Sequence, residues 1–468
     1  MEWYWTLSLL LGSILFLMFI GLPVGIAFIL VNTAAAVILF GRFGDVDTNM
    51  FMGVNQLSDN AFANIAFFAI VPIPMFLLMG EMFFHTGLAN RMFDAVEQLL
   101  GRLPARLSYV TVAGGTVFAT LSGSSMGSTA LLGTLMIPEM SKRGYKKHMS
   151  IGPILGTGGL AMLIPPSALA VLLGTLAELD IGKLLIAGVI PGLLLASFYG
   201  VLIFIQTMLD PNAAPSYEIE QVSWGKKLRL VVFDILPMIS IIVMVIMLIM
   251  LGIATPSESA AFGSLGVILL AIIYLFLVPL LRGDMVQVKA FWGDFGAALW
   301  KSMWGAGRVT VIALFILFGS SLFSNVLAAS QASESLILWV TSFDVSGYTL
   351  LMIMFAVLLL LGMFMDQLAM MLLTVPIFFP IIQGVDFGMD MNMQLVWFAV
   401  IMLLAMEISF TTPPFGLLLF VMQGVAPPGT RFSEICLAAL PYMACAMFLV
   451  ALIIIFPSIA LWLPYLSG

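Results

Sequence analysis

Leu121-Ser122-Gly123-Ser124-Ser125-Met126-Gly127-Ser128-Thr129 lies near the middle of an apolar stretch that runs from about 109 to 139. Five hydroxyls and two glycines interrupt it. The stretch is too long for a single crossing, since a hydrocarbon core of roughly 30 Å takes about 20 helical residues. It is also most polar where one crossing would have to be most apolar. A re-entrant hairpin that dips in, turns at this tip and returns satisfies both facts. Backbone groups at such a tip need partners away from water. Hydroxyls and freed carbonyls are hard oxygen ligands that suit Na⁺, and the helix that starts after the tip presents its positive end to an anion. Small residues also permit tight helix packing, but packing alone does not require so many hydroxyls.

A second stretch, about 348–382, has the same build, with Gly362-Met363-Phe364-Met365-Asp366-Gln367 at its middle. Two further segments, about 150–174 and 394–424, each contain a Pro-Pro pair, Pro165-Pro166 and Pro413-Pro414. Adjacent prolines remove two donors and clash with the preceding turn, so each segment is expected to break near the bilayer midplane. The halves correspond. Tyr109 matches Tyr348, Gly123 matches Gly362 and Phe76–Gly80 matches Phe315–Gly319, all at an offset of 239. The Pro-Pro pairs match after a short insertion. Paired interrupted segments in two halves point to a transporter's site.

Charge sets the orientation. Arg91, Arg102 and Arg106 precede the first interrupted stretch, and Lys142, Arg143, Lys146 and Lys147 follow it, which places both its ends in the cytoplasm. The second stretch is flanked by Glu334, Asp344, Asp386 and Asp390, with no Lys or Arg, which places its ends outside. Lys226, Lys227, Arg229, Arg282, Lys289 and Lys301 then fall on the cytoplasmic side. The expected fold is an all-α polytopic membrane protein of two inverted-topology repeats. Each repeat has a re-entrant hairpin and a broken transmembrane helix. The repeats cover 1–210 and 230–468, and 211–229 is a cytoplasmic linker. Two moderately polar stretches, 41–62 and 284–303, are expected to be amphipathic helices along the interface.

Composition agrees and excludes other classes. Of the 468 residues, 62% are hydrophobic and only 9% charged, with mean hydropathy +1.16, too little charge to cover a soluble surface. Met1 to Trp5 carries no basic residue and the apolar stretch behind it continues to about Phe40, so the start is expected to remain in the membrane. The two cysteines, Cys436 and Cys445, imply neither a disulfide framework nor a metal site. There is no basic tract for nucleic acid, no P-loop and no nucleophile–base constellation, so an enzyme is not expected.

The candidate residues follow from the tips and breaks. Each broken helix joins unwound carbonyls to small or hydroxyl side chains and is expected beside a hairpin tip. One Na⁺ site would combine Ser122, Ser124 and Ser125 with Thr157 and Gly158, and a second would combine Gly362, Met365 and Asp366 with Thr411 and Thr412. A solute would lie between Ser122, Gly123, Ser124, Ser125, Pro165, Pro166, Asp366, Thr412 and Pro413. Asp366 also reads as a helix cap, and Glu81 and Glu139 as helix-end charges.

Several motifs together carry a resemblance. Ser122–Ser125, Ile137-Pro-Glu-Met140, Leu163-Ile-Pro-Pro-Ser167, Gly252-Ile-Ala-Thr-Pro-Ser-Glu-Ser-Ala-Ala261, Met365-Asp366 before Pro376, and Thr412-Pro-Pro414 resemble the large membrane subunit of tripartite ATP-independent periplasmic (TRAP) transporters. The likeness spans nearly the whole chain; Phe415 departs from it, in the place of a small aliphatic residue. It implies a small membrane subunit and a periplasmic substrate-binding protein as partners, and a bacterial inner membrane. It also implies sodium-driven symport of an organic anion, often a dicarboxylate, by an elevator motion. Two rivals stay open: a stand-alone sodium-coupled carboxylate carrier and a sodium/proton antiporter of similar architecture.

Overall fold

The computed structural model describes residues 3–40, 70–101, 103–215, 223–332, 335–336, 338–339, 346–363, 365–414 and 416–466. Among these residues the chain is helical with no strand. Six helices among the described residues are long and apolar enough to cross a membrane. The stretch 41–62, Arg102, Glu334, Asp344 and Phe415 lie outside the described residues.

The first hairpin has arms Arg106–Ser122 and Ser125–Lys142. Its turn follows from Ser-Gly-Ser. Gly123 stops the first arm in the left-handed region, at φ 60°, which costs a glycine nothing. Ser124 then caps the second arm, its Oγ accepting from the Gly127 amide at 3.1 Å. The second hairpin has arms Gly347–Leu361 and Gln367–Gln383, and its longer tip ends at Asp366, which caps the second arm.

Both Pro-Pro segments are broken. The first runs as a helix Lys147–Gly158, a 3-10 turn Gly159–Met162, an irregular passage through Pro165-Pro166, and a helix Ala168–Leu176. The second runs as Met391–Phe410, a passage through Pro413-Pro414, and Leu417–Val425. Both Pro-Pro peptide bonds are cis. Every residue from 149 to 168 and from 393 to 410 is buried. That explains why these segments are apolar all round: protein, not lipid, covers them.

The packing has a crossed order. The leading half of each broken helix lies against both arms of its own hairpin. The trailing half reaches the other hairpin: Ala168–Leu176 packs on Gln367–Gln383, and Leu417–Val425 packs on Ser125–Lys142. Around this block run Val24–Phe40, Pro72–His85, Pro256–Ile272 and Met285–Ala329.

Three boundaries differ from the sequence reading. The stretch 284–303 is helical but does not stop: Met285–Ala329 is one helix of 45 residues. At 1.5 Å per residue it is about 65–70 Å long, more than a bilayer needs, and no proline interrupts it. The last apolar segment, read as continuous, divides into Phe432–Ile455 and Ser458–Leu466 at Pro457, which disfavours helix in the residue before it. Leu88–Leu100 is a helix the apolar pattern did not show, because five of its thirteen positions are polar or charged.

Candidate functional site

The two hairpin tips meet at one cavity of about 340 Å³, within the usual range for small-molecule sites. Ser122, Gly123, Ser124, Ser125 and Met126 line it from the first tip, and Asp366, Gln367 and Leu368 from the second. Ala168, Leu169 and Leu172 come from the trailing half of the first broken helix. The far wall belongs to the surrounding helices: Ile73, Leu77 and Glu81 of Pro72–His85, with Val309, Ile312 and Ala313 of Met285–Ala329.

Among the described residues the wall contains no Lys or Arg, and its charged members are Glu81 and Asp366. Its positive character comes from backbone. Three helices start at the cavity, at Ser125, Ala168 and Gln367. Their caps are Ser124, Ser167, whose Oγ accepts from the Ala170 amide at 3.2 Å, and Asp366, whose Oδ1 accepts from the Ala369 amide at 2.7 Å. Each cap takes one of the free amides of a helix start and leaves the first ones turned outward. Such an arrangement favours an anion.

The expected solute residues divide. Ser122, Gly123, Ser124, Ser125 and Asp366 line the cavity. Pro165, Pro166, Thr412 and Pro413 do not. Pro165 and Pro166 are buried behind the first tip, where the Pro166 carbonyl would lie 4.0 Å from a β-carbon on Gly123. They set the course of the chain into Ala168, which does reach the cavity.

The oxygen-rich pockets expected for Na⁺ also divide. Ser125 Oγ and Thr129 Oγ1 are buried hydroxyls with no hydrogen-bond partner among the described residues. Both flank Gly158, where a β-carbon would lie 2.2 Å from Thr129 Oγ1 and 3.3 Å from the Ser125 carbonyl oxygen. Orphaned buried hydroxyls are rare because they cost about 1–3 kcal/mol each, so a cation fits this oxygen set. Thr157 is beside it, but its hydroxyl donates to the Pro153 carbonyl at 2.6 Å. Ser122 and Ser124 sit on the cavity side, and Ser122 Oγ pairs with Ser128 Oγ at 2.6 Å.

At the second tip, Gly362 packs against Ser409, whose Oγ would be 2.0 Å from a β-carbon there. The hydroxyls of Ser409, Thr411 and Thr412 all donate to carbonyls of their own helix, at 2.8, 3.0 and 2.7 Å. They retain lone pairs for a cation, but none is orphaned. Met365 is buried beside Asp366. Thr411 also borders a small void with Glu407, Tyr199 and Tyr442.

Four residues escaped the sequence reading. Glu81 looked like a helix end, yet it faces the cavity; an acid four residues before His85, paired with it at 3.2 Å, was the available signal. Thr129 stood in the tip motif but outside the ligand set. Ser409 and Ala168 lie beside the breaks, and only tertiary packing distinguishes them from their neighbours. Arg308 is exposed and outside the cavity wall.

Comparison with known proteins bears on the fold and the family. The solved structure of MtrF from Neisseria gonorrhoeae, described as an antimetabolite efflux pump, superposes with a TM-score of 0.61 at 13% identity, over 93% of this chain and 95% of that one. That likeness shows a shared fold. The C4-dicarboxylate TRAP transporter large permease protein DctM of Pseudomonas aeruginosa is 30% identical over 416 residues, 89% of this chain and 90% of that protein. The sialic acid TRAP transporter large permease protein SiaM of Vibrio cholerae is 27% identical over 460 residues, 98% of this chain and 99% of that protein. The family described as "Tripartite ATP-independent periplasmic transporter, DctM component" matches residues 11–459. With its polytopic helical fold and a cavity between two hairpin tips, the chain belongs to that family and is a large permease subunit of a TRAP transporter.

Proposed function

We propose that this subunit moves a small organic anion, a carboxylate, into a bacterium across its inner membrane, driven by two Na⁺ ions. A periplasmic binding protein hands over the solute, and a small membrane subunit completes the assembly. The observation that carries this reading is a cavity shared by both tips, with three helix starts and, among the described residues, no basic side chain in its wall.

The charges supply the coupling. Helix starts alone hold an anion weakly, and the carboxylates of Glu81 and Asp366 oppose it. Cations bound at the tips reverse that balance, so solute and Na⁺ bind better together than apart. Two Na⁺ with a singly charged anion carry one net positive charge inward, which gains about 2.3 kcal/mol per 100 mV of membrane potential.

The cavity also lies at a boundary. One wall is built by hairpins and broken helices, the other by Pro72–His85 and Met285–Ala329. An elevator motion of the first group along the second would carry the tips and their load across without opening a continuous pore. The apolar residues on the far wall, Ile73, Leu77, Val309, Ile312 and Ala313, form a surface over which such sliding breaks no hydrogen bond.

The test is uptake of labelled C4-dicarboxylate and sialic acid, the solutes for which two relatives are named, into liposomes holding both membrane subunits. Uptake is expected to require an inward Na⁺ gradient and the binding protein. Full-rate uptake in sodium-free buffer would overturn the coupling. Sodium-dependent uptake without the binding protein would replace this reading with a stand-alone carrier.

A further inference from the structure

A second large cleft lies away from the tips, at the surface of the helices that surround them. Two successive helical spans, Trp224–Met250 and Pro256–Arg282, are long and apolar enough to cross a membrane. The short turn between them makes them antiparallel, so the start of the first and the end of the second emerge on the same membrane face. The cleft is there, about 490 Å³ in volume. Arg91, from the helix Leu88–Leu100, closes its inner side.

Its charge is one-sided: among the described residues Arg91, Lys226, Arg229 and Arg282 line it, against the carboxylate of Asp234. Asp234 is taken: its Oδ1 accepts from Arg91 Nε. Arg91 is also held over the Tyr274 ring, its guanidinium carbon 4.0 Å from the centroid. The Tyr274 hydroxyl in turn donates to the Phe233 carbonyl. The floor of the cleft is therefore fixed, whereas Lys226, Arg229 and Arg282 make no ion pair among the described residues. Three like charges grouped with no counter-charge among the described residues repel one another, and an anion in the cleft relieves that.

The other wall is apolar. Leu230, Phe233, Val278 and Leu281 line it, and Phe233 and Leu281 are 58% and 78% exposed. Leu236, about one turn further along the same span, is exposed as well. Trp224, 86% exposed with Lys227 Nζ 5.6 Å from its ring, marks the level of the headgroups. A free anion uses only the cations. A molecule that uses both walls has an anionic head at the membrane surface and hydrocarbon that continues into the core.

We infer that this cleft binds the phosphodiester headgroup of an anionic phospholipid, its acyl chains lying along Phe233 and Leu281. Basic pockets between membrane helices on the cytoplasmic side are suited to such headgroups, and the guanidinium forks of Arg229 and Arg282 match phosphate oxygens. The site lies on the helices that frame the hairpins, so the lipid would hold them at a set depth while the tips move. The inference requires neither Na⁺ coupling nor a particular solute.

The test is binding of phosphatidylglycerol, phosphatidylcholine and inorganic phosphate to the purified two-subunit complex in detergent, followed by native mass spectrometry. Phosphatidylglycerol is expected to bind in preference to phosphatidylcholine and not to be displaced by inorganic phosphate. Combined Lys226→Gln, Arg229→Gln and Arg282→Gln should weaken it by about tenfold or more. The charge-keeping set K226R, R229K and R282K should retain it, and Lys142→Gln, outside the cleft, should leave it unchanged. Equal binding by the glutamine variant would overturn the site. Displacement by inorganic phosphate would make it a free-phosphate site instead. Loss of the small subunit from the glutamine variant, with lipid binding intact, would make the cluster a protein contact.

Discussion

Gly159 and Glu407 meet where the two broken helices cross: a β-carbon on Gly159 would lie 1.3 Å from Oε1 of Glu407 and 1.7 Å from its carboxyl carbon. The 3-10 turn after Gly158 thus depends on a residue without a side chain, because an acid from the other repeat occupies the space. Glu407 is 3% exposed, and its Oε2 has no hydrogen-bond partner among the described residues. Gly159→Ala is expected to destabilise the protein by roughly 1–3 kcal/mol, the usual cost of overpacking a core. Glu407→Ala in the same chain should recover part of that loss, since it vacates the contested volume. Thermal unfolding of the wild type, both single variants and the double variant checks this. Simple additivity of the two losses would show that the residues do not meet.

The base of the first hairpin is fixed by charge. Glu97 accepts from Arg106 at the start of one arm and, at 2.9 Å, from Arg143 just past the end of the other. Arg143 also donates to Glu139 at 2.9 Å. The Arg106 side chain is 4% exposed and Glu97 26% exposed, so water screens this cluster only in part. Glu97→Gln leaves two facing guanidiniums with less compensation. Removal of one partner from a buried pair costs roughly 3–5 kcal/mol, and the partial exposure of Glu97 brings the expected loss to about 2 kcal/mol. The measurement is the unfolding midpoint at low and high salt. A surface pair would lose its effect in high salt, whereas this one should keep most of it.

How much of this was legible in the sequence depends on the kind of signal. The tips and breaks were readable because polar residues and Pro-Pro pairs within apolar runs have few uses. The cap at Asp366 was readable because Asp at a helix start is a local preference. The unbroken course of Met285–Ala329 was not, since Trp292, Trp300 and Trp304, all exposed, suit an interfacial helix and a continuous one equally well. Nor was the cavity wall. Pro165 and Pro166 carry the motif yet lie behind the tip, while Ala168 and Glu81 carry none and face inward. Local pattern reports where the backbone must turn; which side chain then faces the cavity depends on residues far away in the chain.

The hydroxyls of Ser125 and Thr129 separate a structural role from an ionic one. With no partner among the described residues, they should be dispensable for folding: Thr129→Val and Ser125→Ala exchange an unsatisfied buried hydroxyl for apolar volume. Unfolding midpoints are expected to hold or rise slightly. If the oxygens hold Na⁺, the concentration of Na⁺ giving half-maximal uptake should rise about tenfold, the equivalent of roughly 1.4 kcal/mol. Gly158→Ala, which puts a methyl 2.2 Å from Thr129 Oγ1, should remove sodium-dependent uptake altogether. Variants that fold well and keep the wild-type Na⁺ dependence would assign the hydroxyls to packing alone.

Asp366 combines a cap with a charge on the cavity wall, and two substitutions can part them. Its Oδ1 accepts from the Ala369 amide at 2.7 Å. Asparagine keeps that bond, since Asn and Asp are similar as caps, whereas alanine loses it at a cost of about 1 kcal/mol. Asp366→Asn should therefore leave the unfolding midpoint near wild type, and Asp366→Ala should lower it. Uptake should follow a different rule. Both variants lose the carboxylate, so if it offsets a cation as proposed, both should need at least about tenfold more Na⁺ for half-maximal rate, a loss of roughly 1.4 kcal/mol in ion binding. Measured together, the two quantities decide the role. A shift in Na⁺ dependence shared by both variants, with a fall in stability confined to alanine, places the carboxylate in ion coupling. A full return of transport in Asp366→Asn would make the residue a cap and nothing more, and the second ion would then have to be held by the backbone of the tip and by Ser409, Thr411 and Thr412.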